Sequence, residues 1–173
     1  GMKSLGLTGF QNRYALAMRR DRAEELGIDS IEDLISIAST LSAAGDLEFF
    51  GRPEWIRLRD LYNIDFADKL TFDPSLMYTA VAENQVDVIA AYTTDGRVAA
   101  YDLLILEDPR NSLLPYDAML IASTRAAAQP QFRQALAIIE NGISDELMRE
   151  ANRMVDVDGR PIADAVEFLQ GQL

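Results

Sequence analysis

Three tyrosines lie beside apolar runs of the sequence, where they could act together on one ligand. Tyr92 ends the run 86–91 and leads into a polar turn at 93–97, with the sequence TTDGR. Tyr116 follows the apolar stretch 113–115, and Tyr14 heads the apolar run 14–18. Because open α/β sheets place their ligands at the ends of strands, this distribution predicts an aromatic box.

The composition limits what such a site could do. The chain has 173 residues, of which 49% are hydrophobic and 25% charged, as expected for a globular protein of one or two lobes. Cysteine and histidine are both absent, which excludes thiolate chemistry, Cys/His zinc sites and Ser-His-Asp triads. We therefore expect no metal and no cofactor.

The charge and the apolar runs restrict the partners. A formal net charge of −12 repels nucleic acid and anionic lipid surfaces, and mildly favours a cationic ligand. No run approaches the roughly 20 apolar residues of a membrane span, and the first residues lack the apolar core of a secretion signal.

Strand and helix patterns alternate up to residue 122, which predicts an α/β fold. Strands are expected at 14–18, 47–51, 70–72, 86–91, 103–106 and 118–122. A helical turn is expected at 22–27, a three-turn helix after the capping box at 30–33, and helices opened by Pro53 and Pro74. The remainder predicts three helices, from Pro130 to Glu140, from Ser144 to Val155, and onward from Pro161. Their apolar faces must cover a sheet, either one within residues 1–122 or one outside this chain.

These segments, taken in order, resemble the substrate-binding proteins of glycine betaine/choline/carnitine/proline ABC transporters. The similarity runs from about Gly9 to the C-terminus. It rests on residues 11–18 (QNRYALAM), 30–34 (SIEDL), 50–54 (FGRPE), 86–98 (VDVIAAYTTDGRV), 106–108 (LED) and 115–117 (PYD). The tyrosine followed by a Thr-Thr-Asp-Gly turn is the most specific of these motifs. The resemblance implies a two-lobed periplasmic-binding-protein fold of cluster II.

The resemblance also implies that Tyr14, Tyr92 and Tyr116 belong to an aromatic cage for a quaternary ammonium group. Such a group is a diffuse cation with no N–H to donate, so ring faces hold it better than hydrogen-bonding residues do. Without the resemblance, each tyrosine would be interpreted as a half-buried packing residue. Tyr62, Tyr78 and Tyr101 have no match in the family and are predicted to be packing or surface residues.

Arg52 is the second candidate, because it follows the run 49–51 and precedes a helix. There its guanidinium could hold a ligand carboxylate with two parallel hydrogen bonds, the role the resemblance implies. The alternative is a surface ion pair with Glu54 or Asp46. Asn12 and Thr94 are weaker candidates for ligand contact. Asp95 with Gly96 is interpreted as a turn.

Departures from the family change the expectation for the isolated chain. Arg13 stands where a small polar residue is usual, and the family's N-terminal half-lobe has no counterpart in this sequence. The predicted division is residues 1–15 for the end of the first lobe and the crossover, 16–114 for the second lobe, and 115–173 for the return to the first lobe. Binding by such a fragment alone would be weak. The half-lobe or a second copy of the chain would cover its exposed face.

The resemblance implies a solute-binding component that captures an osmolyte outside the cytoplasm and presents it to a membrane permease, with no catalysis. Two other classes stay open. The same two-lobed architecture serves effector-sensing domains of transcriptional regulators. An enzyme using paired carboxylates would draw on Glu107, Asp108 and Asp117, although clustered acids usually form a solvated face.

Overall fold

A computed structural model describes all residues, 1–173, as seven strands, eight α-helices and several short 3-10 turns. The strands are β1 (Met2–Gln11), β2 (Tyr14–Arg19), β3 (Ser42–Gly45), β4 (Asp68–Thr71), β5 (Val88–Tyr92), β6 (Leu103–Ile105) and β7 (Asp117–Ser123). The helices are α1 (Arg20–Leu26), α2 (Pro53–Tyr62), α3 (Pro74–Ala82), α4 (Gly96–Ala100), α5 (Thr124–Ala127), α6 (Pro130–Ala137), α7 (Asp145–Asp156) and α8 (Ile162–Gln170).

The larger sheet has five strands in the order β4-β3-β5-β2-β6. Strand β3 runs parallel to β4 and β5, whereas β2 is antiparallel to both β5 and β6. This mixed sheet is covered on both faces, which explains why β2 and β5 are nearly continuous apolar runs. The predicted α/β class is confirmed.

Alternation along β2 and β5 separates two hydrophobic cores. Leu16 and Val88 point into a core with α2, where Trp55, Leu58 and other large side chains are buried. Their neighbours along the strands point to the opposite face, where helix α3 covers them. Because side chains alternate along a strand, two short segments supply both cores.

The smaller sheet pairs β1 with β7 in antiparallel orientation and carries the C-terminal helices. Strand β1 was not predicted from the sequence. Its apolar alternation is interrupted by Gly6 and Gly9, whose φ angles are +140° and +110°. A Cβ at Gly9 would lie 2.7 Å from the carbonyl oxygen of Ile143, so the loop at 141–143 can approach this strand only at a glycine.

The helix predicted after the capping box is wrong. The Asp33 carboxylate does accept the backbone N–H of Ser30 at 2.8 Å, as predicted, but the chain then forms two 3-10 turns, Asp33–Ser36 and Ala38–Thr40. The segment 35–40 is rich in β-branched and hydroxyl residues, which favour helix weakly. The Thr40 hydroxyl donates to the Ile37 carbonyl at 2.8 Å and so competes with the helical pattern.

The strand predicted at 47–51 is also wrong. The strand lies earlier, at Ser42–Gly45, and Phe49–Gly51 forms a 3-10 turn. The Asp46 carboxylate accepts the backbone N–H groups of Glu48 and Phe49 at 2.9 and 3.0 Å, which bends the chain away from the sheet. The small residues of β3 carried no strand pattern.

Most other predicted elements are confirmed within a few residues. Pro53 opens α2, and Asp73 caps α3 by accepting the N–H of Ser75 at 2.9 Å. Ser144 caps α7 through the N–H of Leu147 at 3.2 Å. A fourth C-terminal helix, α5, precedes the three that were predicted. No helix is long and apolar enough to cross a bilayer.

Helix α7 ties the smaller sheet to the five-stranded sheet at the turn that follows Tyr92. The Arg149 guanidinium donates to the carbonyl of Thr93 at 2.9 Å, and the Asn152 amide donates to the carbonyl of Thr94 at 2.8 Å. The division into segments 1–15, 16–114 and 115–173 remains a proposal. The separation of the two sheets supports it.

Candidate ligand-binding site

Two chain segments cross between the sheets side by side and form the floor of a cleft. The backbone N–H of Asn12 donates to the carbonyl of Tyr116 at 3.2 Å, at the junction of the outgoing and returning segments. The cleft has a volume of about 430 Å³. Its walls are formed by residues from both crossing segments, from the start of α2 and from the end of β5: Asn12, Arg13, Tyr14, Arg52, Glu54, Tyr92, Leu113, Leu114, Pro115 and Tyr116.

Tyr14 and Tyr92 form the aromatic wall. They are directly opposite each other in the antiparallel ladder of β2 and β5, so their side chains lie on the same face of the sheet. Their ring centroids are 5.0 Å apart, with 31° between the planes, and their hydroxyl oxygens are 3.3 Å apart. The Tyr14 ring also packs on the buried Phe49 ring with centroids 5.0 Å apart. The pair therefore rests on the aromatic core.

The backbone of Tyr92 is held from the other side of the sheet. Its N–H donates to the hydroxyl of the fully buried Tyr78 at 2.9 Å, and the Arg97 guanidinium lies 4.2 Å from the Tyr78 ring centroid. Tyr62 is likewise buried in the core, and Tyr101 lies on the surface. These three tyrosines have the packing and surface positions predicted for them.

Tyr116 lies in the same cleft but is open to solvent, with 72% of the residue exposed. The structure thus brings all three predicted cage tyrosines to one cleft, two as a packed pair and one on the returning segment. Their contact with a ligand stays a prediction.

Asp46 joins the two paired tyrosines and was not predicted in this role. Its carboxylate accepts hydrogen bonds from the hydroxyl of Tyr14 and from the hydroxyl of Tyr92, the latter at 2.8 Å. Burial raises the pKa of Asp46, but the hydrogen bonds from both tyrosines and from the backbone outweigh burial and lower it overall. Burial, together with the Asp46 carboxylate, raises the pKa of Tyr14. Both phenols therefore stay protonated and Asp46 stays ionised at neutral pH.

Arg52 lines the cleft as an ion-paired residue. Its guanidinium donates to both carboxylate oxygens of Glu54 at 3.2 Å and to Glu48 at 3.3 Å. It also lies 5.7 Å from the Tyr14 ring centroid. The hydrogen bonds and charge of Glu54 raise the pKa of Arg52. Of the two ion pairs considered for Arg52, the one with Glu54 is present and the one with Asp46 is not. Because Arg52 also lines the cleft, its contact with a ligand carboxylate stays a prediction.

Asn12 and Thr94 are hydrogen-bonded to each other, the Thr94 hydroxyl donating to the Asn12 side-chain oxygen at 3.0 Å. Asn12 lines the cleft, whereas Thr94 is buried and does not. Asp95 caps α4 by accepting the N–H of Arg97 at 2.9 Å, which confirms its interpretation as a turn residue.

Asp108, one of the carboxylates considered for catalysis, is held by hydrogen bonds from its own loop and from Tyr62. Burial raises the pKa of Asp108, but hydrogen bonds from the Leu113 N–H, from the Tyr62 hydroxyl and from Ser112 hold it below the ordinary 3.8. Tyr62 donates to Asp108 at 2.6 Å and Ser112 at 3.0 Å. Asp108 thus shapes the loop that carries the cleft wall, instead of holding a proton at neutral pH.

Replacing Asp108 with asparagine should lower the free energy of unfolding at pH 7 by about 1–2 kcal/mol, since an amide cannot accept all of these donors. Because the pKa of Asp108 is lowered on folding, the stabilisation exists above its ordinary value of 3.8 and is lost as the pH falls below it. Urea unfolding should show the difference between the two proteins shrinking from pH 7 to pH 3. Asp60→Asn, at an exposed carboxylate paired with Arg59, is the control. A difference that is unchanged at pH 3 would contradict the assignment.

The fold defines the class of protein, because the mixed five-stranded sheet, the antiparallel pair of β1 and β7 and the C-terminal helices match periplasmic-binding-protein-like structures. A crystal structure of a glycine betaine/carnitine/choline ABC transporter matches with a TM-score of 0.91 and 27% identity, over 98% of this chain and 64% of that chain. A lactococcal OpuAC complexed with glycine betaine matches with a TM-score of 0.59 and 16% identity, over 98% of this chain and 67% of that one, which shows the fold alone.

The chain belongs to the family described as the substrate binding domain of the ABC-type glycine betaine transport system, which matches residues 1–170. A carnitine transport binding protein, OpuCC, of Listeria monocytogenes is 30% identical over 94% of this chain and 54% of its own length. A glycine-betaine-binding protein of Pseudomonas aeruginosa is 33% identical over 98% of this chain and 59% of its own length. The chain thus spans somewhat more than half the length of these relatives.

Proposed function

We propose that this chain forms part of a solute-binding protein that captures a quaternary-ammonium osmolyte for an ABC uptake system. The observation that carries the proposal is the cleft in which the paired rings of Tyr14 and Tyr92 face the same space as Tyr116 and Arg52. Ring faces supply negative potential and apolar surface to a methylated cation, which offers no N–H group. The relatives named for carnitine and glycine betaine support this ligand class.

The two parts of a betaine ligand would use different walls of the cleft. The trimethylammonium group would lie against Tyr14, Tyr92 and Tyr116, and the carboxylate would bind the Arg52 guanidinium. The Arg52 guanidinium lies 5.7 Å from the Tyr14 ring centroid, so a ligand as short as betaine would reach the ring with its ammonium group and the guanidinium with its carboxylate. Asn12 would orient polar atoms at the floor, with Thr94 holding its side chain.

The exposure of Tyr116 and the openness of the cleft support a division of the site between lobes. A cage that excludes water needs ring faces on several sides, and here Tyr116 is 72% exposed. We propose that a further part of the binding protein, outside residues 1–173, closes over it. Ligand contacts from both lobes would favour the closed form that a membrane permease recognises outside the cytoplasm.

The alternative, an effector-sensing domain of a regulator, shares the fold. The family and the relatives above are all described as transport binding proteins, which favours the transport function. The same descriptions are consistent with the expectation that the chain has no enzymatic activity. Calorimetry on the protein at its full natural length, with glycine betaine, choline, carnitine and proline, tests the proposal. Absence of binding by all four compounds would refute it.

Replacing Arg52 with alanine should weaken the binding of glycine betaine by roughly tenfold or more. The binding of choline should weaken much less, because only betaine has a carboxylate for the guanidinium to hold. Affinities for both ligands would be measured by calorimetry. Arg59→Ala is the matched control, since Arg59 is an exposed arginine paired with Asp60. Equal losses for betaine and choline would mean that Arg52 only supports the structure.

A further inference from the structure

Asp46 is a buried carboxylate with no cationic partner. The residue is 7% exposed, and its oxygens accept four hydrogen bonds, two from backbone N–H groups and two from the hydroxyls of Tyr14 and Tyr92. The nearby Arg52 pairs with Glu48 and Glu54 instead. A buried anion that is held only by neutral donors keeps an uncompensated charge, which is costly unless a cation comes near.

The two carboxylate oxygens have different partners. Oδ1 accepts the N–H groups of Glu48 and Phe49 and so caps the 3-10 turn. Oδ2 accepts both tyrosine hydroxyls, at the end of each phenol. Capping the turn needs only the first oxygen, so the structural role leaves the second oxygen unexplained.

The position of Oδ2 couples the charge to the aromatic wall. Tyr14 and Tyr92 line the cleft, while Asp46 contacts them from a neighbouring depression on the far side of their hydroxyls. A phenol that donates to an anion gains electron density in its ring, which makes the ring face more attractive to a cation. The charge itself also acts across the ring pair, where little water screens it.

We propose that Asp46 is the positioning residue that makes the Tyr14–Tyr92 wall selective for cations over neutral molecules of the same shape. It does so without touching the ligand, by aligning both rings and by supplying the negative charge behind them. This inference rests on the function proposed above, and it adds a determinant of ligand charge to a site defined by ring faces.

The test compares choline with 3,3-dimethyl-1-butanol, in which a carbon replaces the quaternary nitrogen and the shape is kept. Asp46→Asn preserves the side-chain volume and removes the charge. In the protein at its full natural length, the variant should bind choline roughly tenfold or more weakly. A loss of this size is expected when a unit charge is removed within about 10 Å of the bound ammonium group. Its affinity for the neutral analogue should change less than about twofold. Asp33→Asn alters another aspartate that accepts backbone N–H groups but lines neither the cleft nor the depression beside it, and it should change neither affinity.

An equal loss of affinity for choline and for its neutral analogue would mean that Asp46 acts only as a structural cap. An unchanged affinity for choline would mean that Asp46 has no role in ligand binding. Either result leaves the proposed function intact if the unmodified protein binds choline or betaine. If the unmodified protein binds no quaternary ammonium compound, both proposals fail.

A second variant covers the case in which Asp46→Asn does not fold. Asp46→Ser keeps a side-chain oxygen that can cap the N–H groups of Glu48 and Phe49, as serine does at helix starts, while removing the charge. The same selective loss of choline binding is expected. Retention of the ratio between the two ligand affinities in this folded variant would overturn the inference.

Discussion

Replacing Tyr92 with alanine should weaken the binding of glycine betaine and choline by roughly thirtyfold or more, which corresponds to about 2 kcal/mol. The change removes one ring of the packed pair, whose centroids are 5.0 Å apart, and so removes one face of the proposed cage. Calorimetry on the protein at its full natural length measures the loss. Both ligands should be affected alike, because both carry the trimethylammonium group.

Two variants separate the ring from the rest of the residue. Tyr92→Phe keeps the ring face and loses the hydrogen bond to Asp46, so it should cost less affinity than alanine does. Tyr101→Ala removes a partly exposed tyrosine outside the cleft and should leave binding unchanged. If affinity survives Tyr92→Ala, the cage assignment is wrong.

Replacing Gly96 with alanine should lower the free energy of unfolding by about 2–3 kcal/mol. A Cβ at this position would lie 2.4 Å from the backbone nitrogen of Arg153 and 2.5 Å from its Cα. Neither atom can move without shifting helix α7 away from α4. The expected result is a lower midpoint in urea unfolding, followed by the fluorescence of Trp55, a buried residue of α2.

Gly51→Ala is the matched control for this prediction, because a Cβ there would meet nothing within 4 Å and no positive φ has to be maintained. Its stability should stay within about 0.5 kcal/mol of the unmodified chain. Equal stability of Gly96→Ala and the unmodified chain would show that α7 does not need its close approach to α4. The turn that follows Tyr92 would then depend on the side chains of Arg149 and Asn152 alone.

The sequence by itself predicted the central strands and several helix starts. Strands β2 and β5 are short, nearly continuous apolar runs, a pattern that indicates strands buried on both faces of a sheet. Proline at the first helical position marked α2 and α3, and Ser144 marked the start of α7, because these residues act through the local backbone. The absence of cysteine and histidine excluded whole classes of chemistry without any structure.

Elements that depend on distant partners were missed. Strand β3 consists of small residues that form a strand because β4 and β5 flank it. Strand β1 is interrupted by glycines and pairs with β7, more than 100 residues later in the chain. The chain at 47–51 turns because the Asp46 carboxylate takes its backbone N–H groups, a competition that an apolar pattern does not reveal.

The candidate site divides in the same way. The family motifs in the sequence predicted Tyr14, Tyr92, Tyr116 and Arg52 as ligand contacts, and the chemistry of rings and guanidinium groups agrees with that prediction without requiring it. Only the tertiary structure placed the first two rings opposite each other and set Asp46 between their hydroxyls. Strand register and the approach of segments 32 and 46 residues apart decide that arrangement. Both arise from the packing of the whole chain, which no local pattern encodes.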